Sequence, residues 1–298
     1  MAVYKRAYRP YEGPLTSERW RFLVLARYAL RELFESRVLT AFVVLCFVPF
    51  VVEAAAIYVT NSLAARALLQ ISGEPSPVHP EFFLATLTIQ GVLAFLLAAW
   101  VAPVLVSPDL VNGALPLFLS RPFSRVEYVA GKAAVLLLLL SAITWVPGLT
   151  LFGLQAGLAG SDWFTANVRV SWATFLGAWL WISVLALLGL ALSACIRWRL
   201  VASAALVALF FMGTAFGEMW REVLRNPWGR LANLSYLIGI VWRDLFGLVT
   251  GRSLAREWLH HRSVTDLPVW AAWTGLLAAC LLCVWLLERR LQAREVVS

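Results

Sequence analysis

Charge is what this chain has least of. Asp, Glu, Lys and Arg make up 14% of its 298 residues, where soluble domains carry about 25%, and 61% of the chain is hydrophobic. So little polarity cannot cover a soluble fold of this length, and the chain reads as an all-α integral membrane protein. Histidine is scarce as well, and the four cysteines (Cys46, Cys195, Cys280, Cys283) all lie in apolar runs. There they read as small core residues rather than redox or metal centres. Nothing matches the phosphate loop G-x-x-x-x-G-K-S/T, because Gly131-Lys132 is followed by Ala133. H-E-x-x-H and G-x-S-x-G are missing too. Asp109, Asp162, Asp244 and Asp266 fall outside the long apolar runs, which argues against an intramembrane aspartyl dyad. His260 and His261 are adjacent near Asp266, and adjacent residues do not share a helix face. No catalytic residue, metal site or cofactor is therefore assigned to this chain.

What is there is greasy sequence in lengths that cross a bilayer. A span takes about 20 apolar residues, and six runs qualify: 38–58, 82–106, 133–156, 172–196, 200–219 and 267–287. They make residues 38–287 one six-span domain, between a 1–37 N-terminal segment and a 288–298 tail. Pro49, Pro103 and Pro147 lie inside or near the ends of three spans and predict kinks that a helix bundle tolerates. Residues 1–37 hold eight Lys/Arg and no long apolar run, so no cleavable signal peptide is expected.

The net charge of +8 belongs to these flanks, and reads as an orientation signal rather than a nucleic-acid patch. With both termini in the cytoplasm, the inner segments carry 16 Lys/Arg and the outer ones nine. Seven of those nine sit in the long outer segment 220–266, and long segments weigh little in topology. Both termini are thus expected inside.

Two polar stretches depart from simple span-and-loop grammar. Ser17–Arg37 places Phe22, Leu25, Ala26, Ala29, Leu30, Leu33 and Phe34 on one helical face, with Arg27, Arg31 and Glu35 opposite. It predicts an amphipathic helix in the inner interface, arginines toward headgroups, or packed on a soluble partner. Within 220–266, the apolar stretch 231–249 is interrupted by Arg243-Asp244. A crossing would bury that pair, so re-entrant helices at the outer face are expected before span 6.

Residues 107–132 carry the densest punctuation. Pro108 suits a helix start, Asn112-Gly113 a stop, and Pro116 and Pro122 forbid one straight helix. Ser124-Arg125-Val126-Glu127 is a capping box opening the third span, with Lys132 expected to snorkel to water. The product is a helix–break–helix corner, which is either a solvated connection or a docking element that moves two spans.

This corner resembles the cytoplasmic loop of type-2 ABC-transporter permeases, on Asp109, Gly113, Ser120, Arg121, Pro122, Ser124, Arg125, Tyr128, Gly131 and Lys132. Members often carry a charge shortly before the glycine, where this chain has Val111. The resemblance implies a permease subunit without enzymatic activity of its own, exporting a substrate by alternating access. ATP and Mg would be bound by a separate ATP-binding cassette subunit, present in two copies, and a second permease copy (identical or related) would complete the complex. The corner between spans 2 and 3 would be a coupling helix contacting the ATPase through Asp109, Gly113, Arg121, Pro122, Ser124, Arg125, Glu127 and Lys132. Arg27, Arg31 and Glu35 would belong to the interfacial helix, beside membrane lipid. The implied location is a plasma membrane, the cytoplasmic membrane of a bacterium, with no nucleic-acid partner. Glu53 is the clear intramembrane carboxyl, and it is divided between a pathway role and a structural one. Trp179 and Trp181 fall mid-span and line a cavity or simply pack. A non-transporting scaffold driven by an ATPase is the alternative reading.

Overall fold

A computed structural model describes residues 21–69, 78–112, 124–224, 227–248 and 267–290. Among them, the regular elements are all helical: α1 (Arg21–Glu35), α2 (Arg37–Leu45), α3 (Val48–Asn61), α4 (Leu63–Leu68), α5 (Pro80–Val111), α6 (Arg125–Ile143), α7 (Trp145–Ala159), α8 (Ser161–Cys195), α9 (Arg199–Leu224), a 3-10 turn (Pro227–Ala232), α10 (Leu234–Leu245) and α11 (Val269–Arg290). Six stretches are long and apolar enough to cross a membrane: Arg37–Asn61, Pro80–Asp109, Arg125–Ala159, Ser161–Cys195, Arg199–Val223 and Val269–Arg290. The protein is membrane-embedded, and the regular structure of its described residues is all helical.

Local chemistry sets the boundaries. Ser36 caps α2 by accepting from the Leu39 amide, and Ser62 caps α4 by accepting from the Ala65 amide. Both halves of the Ser124/Glu127 capping box form at the start of α6. Gly160, at φ 93°, stops α7 and turns the chain straight into α8, a backbone region that only glycine enters cheaply.

The third span is one apolar run in sequence but two helices in space, α6 and α7, broken at Thr144. Pro147 has no N–H to give the Ile143 carbonyl one turn earlier. Gln90, buried on α5, supplies the missing donor. With its amide nitrogen toward the break, it bonds the Ile143 and Thr144 carbonyls at 2.9 Å each. The sequence predicts a kink here; the partner that makes it tolerable comes from another span.

The bundle has an inner and an outer set of helices. In the apolar centres of spans 2, 3 and 4, 61% of residues are buried, against 11% in span 1 and 22% in spans 5 and 6. α8 is the hub, packing on α5, α6, α7, α9, α10 and α11. Small residues allow these approaches, as expected where lipid removes the hydrophobic drive between helices. A Cβ at Gly189 would stand 2.5 Å from the Ala102 Cβ, so nothing larger fits at that α5–α8 crossing. Where Gly91 and Gly177 leave room, indoles enter: Trp181 Nε1 donates to the Gly91 carbonyl and Trp242 Nε1 to the Gly177 carbonyl, each at 2.9 Å.

At the end of the bundle opposite α1, the 3-10 turn and α10 close over α9. Gly213 and Gly217 do permit a close approach, and what approaches is the 3-10 turn: a Cβ at Gly213 would meet the Ala232 carbonyl at 2.6 Å. Arg230 reaches Glu218 at 2.7 Å and lies over the Tyr236 ring. Burial pulls the Arg230 pKa down, but Glu218 and Tyr236 outweigh it and leave the guanidinium above its ordinary value. At about 1.5 Å per residue, the 12 residues of α10 span well under a bilayer's hydrocarbon. The helix ends where Arg243-Asp244 interrupts the apolar pattern, and Arg169 from α8 donates to the Asp244 and Leu245 carbonyls at 2.7 and 2.9 Å.

Candidate functional site

The corner between spans 2 and 3 is built from the last turn of α5 and the first two turns of α6. Tyr128 and Lys132 stand four residues apart on one face of α6, and both reach the same oxygen of Asp109 on α5. The Tyr128 hydroxyl donates to Asp109 Oδ2 at 2.7 Å, and Lys132 Nζ lies 2.8 Å from it. The ammonium also sits 5.6 Å from the centre of the Tyr128 ring. Lys132 therefore does not extend into water as its position at a span end suggests. It is 7% exposed and neutralised inside the protein. Asp109 ends one apolar run at the same end of the bundle where Lys132 begins the next, so each supplies the counter-charge that the other needs where both leave water.

Behind this clamp, α5 is locked to α8. The Ser193 hydroxyl is wedged into the α5 backbone ladder, accepting from the Ser107 amide at 3.1 Å and facing the Pro103 carbonyl at 3.4 Å. Ser107 Oγ donates to the Ile196 carbonyl at 3.0 Å, at the end of α8. Pro103 and Pro108 lie in this part of α5, and the two serine hydroxyls bond backbone groups on both helices, among them the Ser107 amide of α5 and the Ser193 carbonyl of α8.

In front of it lies α1. Its apolar face, with Ala26 and Leu33 buried, seats on α6 rather than facing outward. Gly131 makes the contact possible: a Cβ there would come within 2.9 Å of the Phe22 carbonyl oxygen. The periodicity of α1 is as the sequence predicts, but protein covers part of its greasy stripe, burying Ala26 and Leu33 and leaving Phe34 exposed. Arg27, Arg31 and Glu35 remain on the exposed side, beside the exposed Tyr28.

The end of α5, the start of α6, the end of α8 and α1 thus form one body joined by ion-pair, hydroxyl and close-packed contacts. Of the residues assigned to the corner, Asp109, Glu127 and Lys132 lie within it or at its edge, and Ser124 and Arg125 are exposed at its rim. Gly113, Arg121 and Pro122 lie outside the described residues, as do His260, His261 and Asp266. Trp179 and Trp181 lie elsewhere, in the middle of α8. Trp181 is 5% exposed and packs edge-on to Phe210 and Trp242, so it joins helices. Trp179 is half-buried against Phe175. Sequence reasoning passes over Ser193 and Gln90, which carry no motif, and reads Ser107-Pro108 as a helix start, whereas α5 runs through both to Val111. The only available signal was a polar residue inside an apolar run. No protein-family model matches the chain, and a search of curated proteins finds no match either.

Proposed function

We propose that this chain is the permease subunit of an ATP-driven transporter of the type-2 ABC class, levered by an ATP-hydrolysing partner docked at the α1 end. The observation that carries the reading is the joined body at that end. A force applied to Arg125, to the adjoining corner or to α1 reaches α5, α6 and α8 together, because Asp109, Tyr128, Lys132, Gly131 and the Ser107–Ser193 wedge hold them to one another. Termini in the cytoplasm put this body on the ATP side, and α10 then forms a re-entrant cover at the outer face. Two such chains with two ATP-binding subunits make the complete machine. The moving boundary is the loosely packed span 1, and transport runs outward by alternating access.

Arg125 supplies the test. It occupies the first position of α6, where the helix dipole disfavours a cation, so the fold gains nothing from its charge. Arg125→Glu, combined with Arg121→Glu, is expected to leave unfolding temperature unchanged or slightly raised while the ATPase no longer co-purifies. Full turnover and full co-purification in that double variant contradict the docking assignment.

A further inference from the structure

Spans 1 and 3 are both broken near a proline, but only one break is braced. In span 3, Gln90 serves the carbonyl that Pro147 leaves, and the helices on both sides pack on α8. In span 1 the backbone ladder changes at Cys46 and Phe47. The Cys46 amide is shared between the Phe42 and Val43 carbonyls, and the Phe47 amide bonds Val44, three residues back, at 3.0 Å. Pro49 has no N–H to give the Leu45 carbonyl, and no side chain among the described residues donates to it. A short stretch of such three-residue bonds inside a helix often marks a hinge.

The two sides of this break are held unequally. On the inner side Leu39 and Cys46 are buried, and the Phe42 ring lies 5.9 Å from the Trp100 ring of α5. Beyond it, α3 runs for 14 residues, about 21 Å, with Val51, Val52 and Tyr58 exposed. Its bundle-facing side carries Phe50, Glu53, Ile57 and Asn61, of which only Ile57 is buried. Span 1 is the least enclosed of the six.

The far end of α3 is tied down by Asn61. Its side-chain amide donates to the Ile57 carbonyl and across to Gln155 Oε1 on α7, both at 2.8 Å. Gln155 is buried, so releasing Asn61 leaves an acceptor that water must then meet. Glu53 acts the other way. Its Oε2 is enclosed without a hydrogen-bond partner, which disfavours the position that encloses it and favours one that water reaches.

We infer that α3 is a hinged gate, closed in this structure, that swings about Cys46–Phe47, is latched by the Asn61–Gln155 hydrogen bond, and is opposed in its closed position by Glu53. Opening uncovers the seam that α3 forms with α5 and α7. The latch and the enclosed carboxyl pull in opposite directions, so a modest differential push shifts the balance between the two positions. That the seam opens to the outer side rests on the orientation proposed above; the hinge and the latch do not.

The test uses the full chain alone in nanodiscs, with its four cysteines replaced by alanine and Ile57 by cysteine. Labelling by a trimethylammonium methanethiosulfonate is followed by mass spectrometry. It is expected to be slow in this parent, at least tenfold faster when Asn61→Ala or Gln155→Leu is added, and slower than the parent with Glu53→Met, a change that general loosening does not produce. Leu185→Cys, fully buried in α8, replaces Ile57→Cys as the control and should stay unlabelled in every variant. Equal rates in the parent and both latch variants, labelling of Leu185→Cys rising in step with them, or no slowing in Glu53→Met overturns the gate. In the complex, joining Asn61→Cys to Gln155→Cys with a bifunctional methanethiosulfonate should lower ATP turnover at least fivefold, and reductant should restore it. Full turnover in the joined form, with the results on the chain alone intact, retains the gate and removes the transporter reading.

Discussion

Asp109→Ala is expected to lower stability by about 3 kcal/mol, the low end of the cost of breaking a buried ion pair from one side. The pair is not a strong stabiliser in itself. The cost arises because Lys132, with its side chain 9% exposed, is left charged in an apolar setting, while the buried Tyr128 hydroxyl loses its acceptor at the same time. The same argument predicts rescue. Adding Lys132→Met to the alanine variant removes the stranded charge, and most of the loss should return. Reversible unfolding in detergent or nanodiscs measures both variants. A loss below about 0.5 kcal/mol for Asp109→Ala, the range of ordinary surface substitutions, would mean that the corner is not clamped as described.

The second large effect is expected at Gln90. Gln90→Leu leaves the Ile143 carbonyl without a donor at a proline break inside the bundle, a loss of about 1–3 kcal/mol. Pro147→Ala restores an N–H four residues after Ile143, so the helix can satisfy its own carbonyl. In the Pro147→Ala background, Gln90→Leu should therefore cost markedly less, giving a coupling of about 1–2 kcal/mol in a double-mutant cycle. Additive effects would show that Gln90 does not serve the break. Hydrogen exchange across residues 141–150 offers an independent reading, with faster exchange expected in Gln90→Leu and slower in Pro147→Ala.

These two sites also show where sequence reading stops. The six spans are legible because hydropathy over about 20 residues is a local property, and the Ser124/Glu127 capping box is legible because its partners lie three residues apart. The break at Thr144 is half legible: Pro147 announces a kink, but the donor that satisfies it sits on another helix, 53 residues earlier in the chain. Lys132 shows the same limit. Its position at a span end predicts an extension to water, and only the fold reveals that Asp109 ends its own span on the same side, within 2.8 Å.

Periodicity also finds a buried face without saying what covers it. The stripe on α1 is read correctly as apolar, yet Gly131 lets α6 cover part of what the sequence assigns to acyl chains or a soluble partner. The G-x-x-x-G spacing of Gly213 and Gly217 permits a close approach, and the 3-10 turn at Pro227–Ala232 fills it. The Arg243-Asp244 interruption is more informative. It argues against a crossing between spans 5 and 6, and α10 does end there, with Arg169 donating to its last carbonyls. Glu53 stands out in the sequence as the carboxyl inside an apolar run, but the enclosure of its Oε2 without a hydrogen-bond partner exists only in three dimensions.

The central claim is that the membrane chain generates no power and is driven from the α1 end by a nucleotide-hydrolysing companion. The direct measurement is ATP hydrolysis in liposomes holding the purified chain alone, set against liposomes holding the complex captured with it. The account predicts no hydrolysis from the chain alone and sustained hydrolysis from the complex, lost in the Arg121→Glu, Arg125→Glu variant. Uphill transport or ATP hydrolysis by the isolated chain would contradict it.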